Sequence, residues 1–67
     1  MVDEPAGFEE PTTRQRILTA ASKLFAQKGY RGTSTREIAT AVGIQQPSLF
    51  HHFGSKEAIM GELIDFD

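Results

Sequence analysis

A chain of 67 residues builds at most one small domain, which buries only about 60% of the surface its unfolded form exposes and leaves no room for an enclosed, drug-sized pocket. The absence of cysteine removes disulfides and thiolate metal sites, and no run approaches the roughly 20 apolar residues that span a bilayer. The formal charge of −2 hides a division: all seven basic residues lie within 12–56, against Glu37 alone, giving a net +6 between acidic ends. These features argue against an enzyme, a cofactor or a membrane partner, and favour surface recognition by a basic body in a reducing compartment, the cytoplasm.

Residues 1–11 combine Asp3, Glu4, Glu9 and Glu10 with Pro5, Gly7 and Pro11, and read as a disordered acidic arm ahead of a domain over 12–67. From Thr12 or Thr13, Ile17, Ala20, Ala21, Leu24 and Phe25 recur at three- and four-residue steps, the period of an amphipathic helix with Arg16, Lys23 and Gln27 on its polar face. Gly29 stands where a left-handed terminating residue belongs, and Tyr30 is placed to fold back onto Leu24 or Phe25. Ser34 and Glu37 have capping-box spacing for a short second helix, whose apolar stripe is Ile38, Ala39 and Val42 and whose end is Gly43. Gln45, Gln46 and Pro47 open a third helix with Leu49 and Phe53 inward; Pro47 is tolerated there because first-turn amides have no intrahelical partner to lose. Gly54 breaks it, Ser55 caps the next, and Ala58, Ile59, Leu63 and Ile64 supply a fourth helix. The expected fold is all-α: a three-helix helix-turn-helix, homeodomain-like bundle plus the start of a fourth helix.

With Leu49 and Phe53 inward, a rotation of about 100° per residue sends Pro47 and His51 away from the core, flanked by Ser48 and Phe50. Gln45 and Gln46 sit on the opening turn, the end that a reading helix points at bases. Glutamine pairs with adenine N6 and N7, serine serves several bases, and an apolar edge suits a thymine methyl. Arg36 has the fork for a guanine edge or a phosphate. Phosphate contacts are expected from Thr33, Ser34 and Thr35 at the second helix start, from Ser55 and Lys56 at the fourth, and from His51 and a half-buried His52. For Phe50, burial in the core competes with DNA contact. The adjacent histidines diverge on the helix and have no cysteine or carboxylate cluster beside them, so no metal site is expected; no serine has a His-Asp partner at triad spacing.

Thr33 to Lys56 reads Thr-Ser-Thr-Arg-Glu-Ile-Ala-Thr-Ala-Val-Gly-Ile-Gln-Gln-Pro-Ser-Leu-Phe-His-His-Phe-Gly-Ser-Lys. Together with Ile17-Leu18-x-Ala-Ala-x-x-Leu-Phe25 and Gly29-Tyr30, this resembles the TetR family from about Arg14 to Ile64. The resemblance implies a duplex DNA operator as partner and a repressor that is homodimeric through a larger C-terminal domain. That domain would bind a small-molecule effector and shift the two reading heads; it is not among these residues. Phe50 stands where the family usually has tyrosine, Gln45-Gln46 replaces a Ser or Thr cap followed by a basic or small residue, and Gly61 costs its helix about 1 kcal/mol. The acidic arm lacks the charge of minor-groove arms. Two rivals remain: a head from another helix-turn-helix class, opposed by the Phe53-Gly-Ser-Lys-Glu57 junction, and a small helical module that meets an acidic protein.

Overall fold

The computed structural model describes residues 12–64, so the expected arm over 1–11 lies outside the described residues. Four helices follow in order: α1 (Thr13–Lys28), α2 (Thr35–Val42), α3 (Gln46–His52) and α4 (Lys56–Ile64). All regular structure among these residues is helical, as the periodicity predicts.

Each helix start has a local cause. Thr12 accepts from the Gln15 amide at 3.1 Å while the Gln15 side chain accepts from the Thr12 amide at 3.0 Å, a capping box not anticipated from the sequence. The anticipated one is present at α2: Ser34 Oγ accepts from the Glu37 amide at 3.1 Å and Glu37 Oε1 from the Ser34 amide at 2.9 Å. At α4, Ser55 Oγ accepts from the Ala58 amide at 3.1 Å. Only α3 starts without a side-chain cap.

Helix ends follow the glycines, with one correction. Gly43 adopts the left-handed conformation (φ 87°, ψ 27°), and the amides of Gly43 and Ile44 return to the carbonyls of Thr40 and Ala39. Gly29 instead has φ 84° with ψ 159°, a positive φ on an extended backbone, so the chain leaves α1 by straightening rather than by continuing the coil. Tyr30 does fold back, onto Phe25, with ring centroids 5.3 Å apart.

The core gathers Ile17 and Ala21 of α1, Ile38, Ala39 and Val42 of α2, Leu49 and Phe53 around α3, and Ile59 of α4. Leu18, Ala20, Leu24, Phe25, Ile44 and Leu63 pack against it. Each fully buried aliphatic side chain contributes about 1.5–3 kcal/mol, so α3 depends heavily on Leu49 and Phe53. The fourth helix is more solvated than its spacing suggests, because Ala58 and Ile64 are exposed and Ile59 alone is fully buried.

Candidate nucleic-acid interface

Burial of Leu49 and Phe53 leaves the other side of α3 in solvent. Pro47, Ser48, Phe50 and His51 are exposed, as is Gln45 at the cap. Phe50 is 43% exposed, which excludes the core role that competed for it. His52 is also exposed rather than half-buried, its ring edge-on to that of His51 at 6.0 Å.

Gln46 joins this surface to α2. Its Nε2 donates to Thr35 Oγ1 at 2.8 Å, across the two helix starts. That bond uses one amide hydrogen and orients the group; the carbonyl and the second hydrogen have no partner among the described residues. Thr35 and Gln46 are half-buried partners, while Arg36, next to Thr35 in the first turn of α2, is exposed. Ser34 is exposed with its oxygen engaged in its own cap.

Two sequence expectations for phosphate contacts require correction. Thr33 is 1% exposed, and its hydroxyl lies 2.9 Å from the Gly29 carbonyl and 3.2 Å from that of Leu24. It closes the end of α1, where carbonyls lack helical partners, and so is withdrawn from the DNA-facing set. Lys56 turns inward as well: Nζ donates to the Tyr30 carbonyl at 2.7 Å and the Thr33 carbonyl at 2.9 Å, and it stands 4.2 Å from the Tyr30 ring centre. Ser55 is half-buried at the same junction as the α4 cap.

The junction is polarised further by Tyr30 and Glu57. Burial pushes the Tyr30 phenol above its ordinary value, and the Glu57 charge and hydrogen bond add to the effect. Glu57 moves the opposite way, held low first by its own backbone amide at the α4 start and then by the Tyr30 hydroxyl. On the far side of the turn, Lys28 pairs with Glu37. That contact is the main cause of a depressed Glu37 carboxyl, with the Ser34 amide second.

The sequence reading assigned no contact to three basic side chains. Arg16 donates to the Val42 carbonyl at 2.7 Å, closing the end of α2 from α1. Arg14 lies 2.9 Å from Glu62 and 5.1 Å from the Phe53 ring centre, tying α1 to α4. Arg31, in the turn before α2, is exposed and has no charged or hydrogen-bonded partner among the described residues.

A sequence model of bacterial regulatory proteins of the tetR family matches residues 17–63. The HTH-type transcriptional repressor KstR2 of Rhodococcus jostii is 47% identical over 51 residues, 76% of this chain and 25% of that protein. The structure of the ketosteroid transcriptional regulator KstR2 of Mycobacterium tuberculosis superposes with a TM-score of 0.69 at 41% identity, over 76% of this chain and 26% of that one. The TetR family transcriptional regulator PfmR of Thermus thermophilus gives 0.68 at 53% identity, over 79% and 29%. The chain thus spans about a quarter of the length of the relatives it resembles.

Proposed function

Because the chain belongs to the tetR family of bacterial regulatory proteins, we propose that it is the sequence-reading head of a transcriptional repressor, with α3 lying in the major groove of an operator. The observation that carries this reading is the outward face of α3. Pro47, Ser48, Phe50 and His51 stand free on a helix whose other side is locked into the core by Leu49 and Phe53.

Base reading falls to Gln45, Gln46, Pro47, Ser48, Phe50 and His51, with Arg36 within reach of a guanine edge or a phosphate. Ser34, Thr35, Ser55, His51 and His52 lie on the flanks, where strands pass a helix seated in the groove. The intact regulator is a cytoplasmic homodimer on an operator whose half-sites repeat about 34–36 Å apart, released by a small molecule bound outside these residues. The relatives' name as repressors and their greater length support that extension.

Selection from a randomised duplex pool tests the reading. A short motif is expected, and Ser48→Ala relaxes one of its positions at a cost of about 1–3 kcal/mol against the selected site. Recovery of no motif by a folded chain, or binding indifferent to salt, would falsify it and favour a module for an acidic protein instead.

A further inference from the structure

Two grooves flank α1, and they differ in charge. The one between α1 and α4 is lined by Leu18, Leu63 and Glu62, whose carboxylate already meets Arg14. The one between α1 and α2 is an open cleft of about 440 Å³, lined by Ala20, Leu24 and Val42 together with Arg16 and Lys23, and none of its lining residues is acidic. Arg16 donates one N–H to the Val42 carbonyl at 2.7 Å; its other donors, and the Lys23 ammonium, have no partner among the described residues. An apolar floor beside two exposed cations is complementary to a short acidic segment that carries an aromatic side chain. The DNA-reading role proposed for α3 uses none of these residues.

We propose that residues 1–11 of this chain run back along α1 and dock in the α1–α2 groove, with Phe8 on its apolar floor and the segment's carboxylates against Arg16 and Lys23. These residues lie outside the described ones; they carry Asp3, Glu4, Glu9 and Glu10, no basic side chain, and Phe8 as their one aromatic residue. They join α1 at its Thr12 cap, one turn before Arg16. Reach sets the register. An extended chain covers about 3.3 Å per residue and a helix rises about 1.5 Å, so Glu10 arrives level with Arg16, roughly 6–7 Å from Thr12. Phe8 comes level with Ala20, roughly 12–13 Å along, and Asp3 and Glu4 have chain to spare for Lys23 at roughly 17 Å. Each exposed charge pair adds little and is screened by salt, but a tethered segment needs only weak affinity to stay docked. The α1–α4 groove is the poorer host, because Glu62 stands in it and its one lining arginine is already paired.

NMR of the full 67-residue chain, without DNA, tests the docking. In low salt, nuclear Overhauser contacts are expected from the Phe8 ring to the methyl groups of Ala20, Leu24 and Val42, and they fade in high salt. Phe8→Ala shifts those methyl signals and leaves the core signals of Leu49 and Ile59 in place. Lys23→Glu weakens the ring contacts several-fold, and adding Asp3→Lys and Glu4→Lys to it restores them. Absence of the ring contacts in low salt overturns the proposal, as do contacts to Leu18 and Leu63, which would put the segment in the other groove. A charge swap that restores nothing overturns the pairing with Lys23. Contacts that vanish on dilution assign the groove to a second copy of the chain and overturn docking within one molecule.

Discussion

The starts of α2 and α3 are secured by opposite means. At α2, Ser34 and Glu37 exchange backbone hydrogen bonds, and Lys28 fastens Glu37 from the preceding helix, so the start is fixed by its own neighbours in sequence. At α3 there is no side-chain cap, and the helix is held from outside: by Leu49 in the core below and by the Gln46 bond to Thr35 beside it. The contrast matches the two tasks proposed for them. A start that sets register against a uniform phosphate backbone is best rigid. A helix that reads bases is best anchored through its inner face, which leaves the outer positions free of structural duty.

The sharpest way to break this contrast is to remove the anchor. Leu49→Ala is expected to cost about 2–5 kcal/mol, a large share of the roughly 3–10 kcal/mol that holds a chain of this size. Urea unfolding measures it, and a loss under 1 kcal/mol would mean that α3 is not held by its inner face. Next come the two caps, which should respond with opposite signs. Ser34→Ala destabilises by about 1 kcal/mol, whereas Gln45→Ser supplies a missing acceptor and stabilises by roughly 0.5 kcal/mol. Were both substitutions to destabilise equally, the two starts would not differ in kind.

The cross-helix bond is a smaller term. A double-mutant cycle between Thr35→Val and Gln46→Ala should return a coupling of about 0.5–1.5 kcal/mol in the unbound chain, and additivity would show that the helices do not rely on it. The smallest effect is expected from pH. The folded Glu37 carboxyl titrates below its ordinary 4.5 because Lys28 and the Ser34 amide favour the charged form. Its stabilisation is therefore complete well above pH 4.5 and is lost as acid carries the chain down through the lower folded value. Urea midpoints of the wild type and Glu37→Gln should converge once the pH has fallen below that lowered folded value. A gap that stays constant into acid would separate Glu37 from the α2 start.

Most of the fold was legible along the chain, for the same reason that the cap of α2 is local. Helical period, capping boxes and terminating glycines act between residues within a turn or two, so Ser34–Glu37, Gly43 and Ser55–Ala58 could be read locally. The outward set on α3 followed from the same rotation once Leu49 and Phe53 were placed. The error appeared where the local rule was asked about solvent: His52 turns out exposed because nothing among the described residues packs over its side of α3, and no spacing encodes that absence.

What the sequence determined by itself was the order of the helices, where they start and stop, and which face of each is apolar. What the tertiary structure alone decided was which polar groups remain available. Lys56 meets carbonyls 26 and 23 residues away, Arg16 one 26 residues away, and Gln46 a hydroxyl 11 residues away. Such pairings depend on how helices cross, and a buried carbonyl without a helical partner captures whichever donor the crossing brings near. Charge on paper therefore overstated the free cationic surface, and the packing left only Lys23, Arg31 and Arg36 without a partner among the described residues.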